Sequence, residues 1–336
     1  MKPLVSIVIP TRNRKESLLK TLQAASRQLY PAAEIIIVDA GNEPIGFETL
    51  SKAFPQAPIR YFTSRPSVCV QRNLGIQMAT SPYILLCDDD VEMPEDYLLK
   101  LTTYTSAHEE AGIVTGLFLQ KNKNAEWEYQ YRTSSLLKCI WHFIFQLSCW
   151  GDLEDIKANF ITAPLLRYIK QWYEKRGNTY SLAGWPLLTN FTCPVTRTAV
   201  YTLGAALIKK EWLLASPFEE KLVPNGIGDN YGVTHNLPEP QPIHLLTGAF
   251  VWHHHAPENR LKIITAYRYR VYALHYFLVN SKKFTAINRL FFYWSMLGNL
   301  LFQTFGLQGK LAATSMSTIV ILMLGQNPYL KHSTIH

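Results

Sequence analysis

Apolar runs and helical spacings alternate along the first 120 residues. Residues 4–9 are β-branched and apolar and close on Pro10. Residues 14–29 carry leucines and alanines at helical spacing. Residues 34–39 (Glu-Ile-Ile-Ile-Val-Asp) form a second apolar run that ends in an acid, with a turn at Gly41-Asn42. A weaker helix over 46–54, a strand over 59–62 and a helix over 67–79 follow. Residues 83–87 then run straight into Asp88-Asp89-Asp90, ahead of a helix predicted over 94–108 and a strand over 111–120. Short continuous apolar runs suit strands buried on both faces. Their alternation with helices predicts an α/β fold, a mostly parallel central sheet flanked by helices.

After Gln120 the alternation breaks. Residues 121–198 are long, aromatic and irregular, with an apolar patch over 139–150. They read as an insertion with short helices of its own, either covering the site or meeting an acceptor, or else as a plain surface subdomain. Strand character resumes over 202–208, a glycine-rich turn lies at 226–230, and a last strand over 243–252 leads into His253-His254-His255. The chain thus divides into a unit of residues 1–258, made of a first half 1–120, the insertion 121–198 and a second half 199–258, and a tail of residues 259–336.

Charge changes the picture of the tail. The 336 residues carry a net +8, yet beyond Glu258 there are nine Lys or Arg and no Asp or Glu, which leaves 24 basic against 25 acidic side chains before it. The tail is also apolar: residues 290–309 and 311–330 contain no charge, although Asn299, Gln303, Gln308, Thr314, Ser315 and Ser317 interrupt them. Helices lying in a membrane interface, with Tyr293, Trp294 and the basic residues at headgroup level, are the favoured reading. A spanning hairpin and a helical bundle packed on the rest of the chain are the alternatives. Nucleic acid is not an expected partner, because the basic residues alternate with long aliphatic runs. Five cysteines, widely spaced and without a CxxC pair, argue against a disulfide framework or a zinc knuckle. No charged and then apolar leader precedes residue 4, so the expected site of action is cytoplasmic, at the membrane face.

Three consecutive carboxylates at a strand's end repel one another. A cation or a hydroxyl-rich ligand among them would relieve that, and ligands of open parallel sheets sit outside the strands' carboxyl ends. The bland alternative is a solvated acidic turn capped by Asp90. Asp39 ends the second strand, beside the first, as a ligand for a base or ribose, or as a cap. Arg72 reaches a phosphate or forms a structural ion pair. Of the histidines, strand alternation sends His253 and His255 one way and His254 the other. They are read as metal ligands or as a hydrogen-bonded structural cluster.

Taken together, the order of these pieces resembles the family 2 glycosyltransferases of the GT-A fold. The matching residues are 5–14 (Val-Ser-Ile-Val-Ile-Pro-Thr-Arg-Asn-Arg), 36–39, 71–76 (Gln-Arg-Asn-Leu-Gly-Ile), 86–90, 203–207, 217–220 (Pro-Phe-Glu-Glu) and Gly228-Asp229. Residues 251–257 with Arg260 resemble the late histidine motif of a rhamnosyltransferase-like branch. The resemblance implies a nucleotide-diphosphate sugar donor held by Pro10, Thr11, Asn13, Asp39, Arg72, Asn73, Asp88 and Asp89. It implies Mn²⁺ or Mg²⁺ on Asp90, Asp88 and His253, with Asp88 and Asp90 matching the DxD positions. It implies Asp229 as general base, with Glu220 as runner-up, for inverting transfer to a glycan or lipid-linked glycan. Gly228 stands where the family usually has Glu. Transfer to a polyprenyl phosphate and a non-catalytic nucleotide-sugar-binding subunit are the competing functions.

Overall fold

The computed structural model describes residues 4–122, 124–129, 135–191, 193–223, 225–258 and 260–331. The first half follows the alternating pattern. β1 (Val5–Thr11), α1 (Lys15–Ser26), β2 (Glu34–Asp39), α2 (Phe47–Ala53), β3 (Ile59–Thr63), α3 (Val68–Met78) and β4 (Tyr83–Cys87) succeed one another with short connections. The four strands pair in parallel in the order β4-β1-β2-β3. Every residue of β1 and β2 is buried, which is why these strands read as unbroken apolar runs. Helix α3 lies close on them because Gly75 has no side chain: a Cβ there would press into Val8 Cγ1.

Beyond the acidic triplet come β5 (Val91–Glu92), α4 (Tyr97–Ala107), β6 (Ile113–Lys121) and β7 (Trp127–Tyr129). The expected insertion then folds as α5 (Leu136–Ile144), β8 (Cys149–Trp150), α6 (Ala163–Arg176), β9 (Leu187–Leu188) and β10 (Val195–Thr198). It holds a small core of its own around Cys139, Cys149, Ile169 and Tyr173. The chain returns as β11 (Ala205–Lys209), α7 (Lys210–Ala215), α8 (Asp229–His235) and β12 (Ile243–His253). β11 runs antiparallel between β4 and β6, and β12 runs parallel beside β6. The ten-stranded sheet is therefore mixed but mostly parallel along its main path, β10-β12-β6-β11-β4-β1-β2-β3.

The tail forms α9 (Ile263–Asn280), α10 (Ala286–Phe305), α11 (Gly309–Met323) and α12 (Pro328–Lys331). Val271, Leu274, Phe292, Met296 and Leu322 join the same core as the sheet. The packing therefore does not break at residue 258. Among the described residues no helix is long and apolar enough to cross a membrane. The 15 residues of α11 reach only about 22 Å at 1.5 Å each, short of a bilayer's apolar thickness of roughly 30 Å.

Because α3 rests on β1 through Gly75, Gly75→Ala is expected to cost about 1–3 kcal/mol by overpacking. Urea unfolding should show a lower midpoint at unchanged slope. An unchanged midpoint would refute this account of the contact.

Candidate active site

The strand ends that carry acids gather at one edge. Pro10, Thr11, Arg12 and Arg14 from the end of β1, Arg72 from α3, the triplet Asp88, Asp89 and Asp90 after β4, Asp229 at the start of α8, and His253 and Arg260 after β12 line one cleft. Four aspartates face four arginines there.

Arg72 holds the centre. Its guanidinium pairs with Asp88 Oδ1 at 2.6 Å and, through the other nitrogen, with Asp229 Oδ2. Burial alone would discharge Arg72, but Asp229 and Asp88 hold it charged. Asp229 is itself pushed above the usual carboxylate range, by burial first and by the neighbouring Asp88, against the pull of Arg72. A raised pKa makes it a better proton acceptor than a surface carboxylate. Gly204 on the facing loop is required here, since a side chain would run into the Asp88 carboxylate.

Asp89 is turned inward. Its carboxylate accepts from Thr11 Oγ1 (2.8 Å) and Arg14 (2.9 Å). Burial nevertheless pushes it up to about 6. Asp90 behaves oppositely. It receives His253 Nε2 (3.1 Å) on Oδ1, and Arg260 (3.0 Å) and the Ala256 N–H (3.0 Å) on Oδ2. Burial works to raise Asp90, but these partners outweigh it and hold it at about 2.

Asp90 Oδ1 and His253 Nε2 stand 3.1 Å apart as a hydrogen-bonded pair, and Gln120 at 2.9 Å from Nδ1 fixes the ring. Among the described residues no three His, Cys, Asp or Glu side chains form a ready cage. Such a donor set suits an ion that takes one or two protein ligands and completes its shell with substrate oxygens.

Other expected residues lie outside the cleft lining. The Asp39 carboxylate accepts from the Gly41 and Ile45 N–H groups (2.7 and 2.9 Å) of its own loop and from Tyr61 Oη (2.7 Å) on β3. Asn13, at φ +54°, accepts from the Asn42 N–H at 2.8 Å and ties the turns after β1 and β2 together. The Asn73 amide is spent on the backbone of Phe218, donating to its carbonyl and accepting from its N–H. Glu220 pairs with Arg65 at the surface. The histidines divide as expected but not by strand alternation, since β12 ends at His253 and His255 stands at φ +53°: His255 stacks on His253 at 4.3 Å, and His254 turns to Glu92 at 2.6 Å. Gly228 precedes α8 at φ +92°, and a Cβ there would meet Ala273 Cβ at 2.7 Å, so this backbone has no place for Glu. Arg12, Arg14 and Arg260 line the cleft but were absent from the candidate set. All three stood inside the matched motifs, but only the folded geometry brings Arg14 onto Asp89 and Arg260 onto Asp90.

A four-stranded parallel half, an antiparallel return strand and acids after β4 define the GT-A fold. Solved GT-A structures superpose on it. The S. aureus TarS 1–349 structure covers 96% of this chain and 92% of that one, at TM-score 0.52 and 11% identity. The structure of GalNAc-T7 with UDP, GalNAc and Mn²⁺ covers 88% and 55%, at TM-score 0.56 and 15% identity. At these identities the likeness concerns the fold alone. In sequence, residues 6–168, just under half of the chain, match the glycosyl transferase family 2 model. The uncharacterized glycosyltransferase YwdF of Bacillus subtilis is 36% identical over 123 residues, which is 35% of this chain and 45% of YwdF. The match thus spans about half the length of that relative.

The pH dependence of Asp90 can be separated from that of the rest of the protein. Its folded pKa lies below the ordinary value of about 4, so its stabilisation is present above pH 4 and lost as pH falls towards 2. Wild type should lose about 2 kcal/mol more stability over that window than Asp90→Asn in urea unfolding at each pH. Parallel profiles for the two proteins would contradict the ion-pair network around Asp90.

Proposed function

We propose that the chain transfers a sugar, with inversion, from a nucleotide-diphosphate sugar to a hydroxyl of a glycan or lipid-linked glycan at a membrane surface. The observation that carries this reading is the Arg72 bridge, which sets a buried carboxylate of raised pKa, Asp229, one guanidinium away from the donor-side Asp88.

In this reading Asp229 accepts the proton of the acceptor hydroxyl as its oxygen bonds to the anomeric carbon. The bond from that carbon to the diphosphate oxygen breaks, and the electron pair leaves with the nucleoside diphosphate. Arg12, Arg14, Arg72 and Arg260 meet the developing negative charge. Pro10, Thr11 and Asp88 line the donor side. Asp39, Asn13 and Asn73 act by holding the loops in place. Asp90 and His253, with Asp88, are the residues that would hold Mn²⁺ or Mg²⁺, which supplies Lewis-acid stabilisation of the leaving diphosphate. The cleft favours such an ion for a simple reason: four arginines are already balanced by four aspartates, so a diphosphate needs further positive charge. The rhamnosyltransferase-like branch is kept in the reading because its late residues, His253 and Arg260, both meet Asp90.

Asp229→Asn should lower kcat by roughly 10²–10⁴-fold while leaving the donor KM within a few-fold. Chelation should remove activity, and Mn²⁺ or Mg²⁺ should restore it. Steady-state transfer assays on a nucleotide-sugar panel provide the measurement. Full activity of Asp229→Asn would remove the base and point to a polyprenyl phosphate acceptor, which needs no deprotonation. Metal-dependent donor binding without turnover would point to a binding subunit.

A further inference from the structure

Helices α10 and α11 bury polar residues beside Phe292, Met296 and Leu322 and expose an apolar face. On α10, Ser295 and Gln303 are buried, whereas Leu290, Trp294, Leu297 and Phe305 are 68%, 42%, 39% and 73% exposed. Those four fall on one helical face by their spacing. The buried polar groups are satisfied within the protein: Ser295 accepts from Trp185 Nε1 (2.9 Å), and Gln303 accepts from Ser315 Oγ (2.6 Å). On α11, Thr314, Ser315 and Thr318 are buried, while Met316, Val320 and Met323 are 51%, 47% and 71% exposed. A helix covering the surface of a water-soluble domain carries the opposite pattern.

The insertion joins this surface. Phe145, just past α5, stacks on Trp294 with ring centroids 4.9 Å apart and occupies the space left by Gly298. Trp141 Nε1 donates to the Gly298 carbonyl (3.2 Å), and Trp294 Nε1 donates to the Ile144 carbonyl (2.8 Å). Both indole donors are thus satisfied by backbone, and the rings can enter an apolar medium without an unpaired N–H. Leu137 and Ile144, seven residues apart on α5, are 79% and 49% exposed and extend the apolar face.

We propose that α5 of the insertion and α10 and α11 of the tail form one surface that seats in the interface of a bilayer with anionic headgroups. The proposal rests on the membrane-surface part of the function above and goes further in giving the insertion half of the contact. Charge selects the occupant. The three helices carry no Asp or Glu, and Lys138 on α5, Arg289 on α10 and Lys310 on α11 are exposed. An anionic lipid surface complements this. A second copy docked about a two-fold axis would set the same basic segment against itself.

The test is flotation of the purified full-length protein with vesicles of 30% phosphatidylglycerol and 70% phosphatidylcholine. Wild type should float with the vesicles, and neutral phosphatidylcholine vesicles should retain several-fold less. The pairs Leu290→Glu with Leu297→Glu, and Leu137→Glu with Ile144→Glu, should each reduce flotation at least tenfold. Leu4→Glu with Leu29→Glu, which lie outside this surface, should not. Thermal melting of each variant identifies any loss caused by unfolding, and then Leu290→Gln with Leu137→Gln replaces the pair. Absence of wild-type flotation overturns the proposal. Loss with the α10 pair but not with the α5 pair overturns the role of the insertion. A dimer in light scattering that the same pairs dissociate, without flotation, assigns the surface to a second copy. Donor turnover of wild type in vesicle-free buffer is read separately, so failure of membrane binding and failure of the transferase reading stay distinct.

Discussion

One guanidinium group organises the cleft. Of the four carboxylates, Asp89, Asp90 and Asp229 are largely buried and would each cost several kcal/mol if left unpaired. Arg72 pairs with two of the four, Asp88 and Asp229, which come from opposite ends of the domain's sequence. Arg14 serves Asp89, and His253 and Arg260 serve Asp90. The partners arrive from the end of β1, from α3, and from the segment after β12. The charge network can therefore close only when the parallel half, the return half and the start of the tail are all in place.

The tail follows from the same constraint. Helix α8 carries Asp229 and has seven residues, too few to be stable on its own. Helix α9 and the turn after it hold α8 from outside. Ala273 packs against the bare Gly228, Tyr276 Oη donates to Glu219 (2.6 Å), and Lys283 Nζ donates to the Leu237 carbonyl (2.6 Å) just past the helix end. The segment that reads as a membrane appendage is thus also a wall of the site. Its polar interruptions have a structural cause. Gln303, Thr314 and Ser315, which make residues 290–330 poor spanning segments, are buried, and Ser315 bonds Gln303 of α10 and Tyr267 of α9.

Legibility in the sequence tracked the kind of interaction involved. β1, β2 and β4 were plain because burial on both faces leaves no polar position to blur the run. β5, β8 and β9 have two residues each, shorter than any period, and only pairing with distant strands makes them strands. Among the site residues, Asp88, Asp90, Arg72, Asp229 and His253 could be named because strand ends and motif order place them. The partners of Asp39 and Asn73 could not. Whether an amide faces a ligand or a loop's backbone depends on where Phe218 lies, 145 residues away. Gly228 stood out as a departure, and its cause is a left-handed backbone pressed on Ala273, a contact that no local pattern records.

The ion pairs also bear on how a donor would enter. On the proposed reading, the diphosphate competes for the arginines that now neutralise Asp88, Asp89 and Asp90. Each arginine drawn to a phosphate leaves a carboxylate exposed to its neighbours, and a divalent ion offsets that charge. Cation and diphosphate then each lower the cost of the other's arrival, and by linkage the effect is reciprocal. Asp89 is the least suited to take part. It is buried, turned inward and held by Thr11 from β1 and by Arg14. Asp90, held ionised by three donors, is the one whose charge is already in place before any ligand arrives.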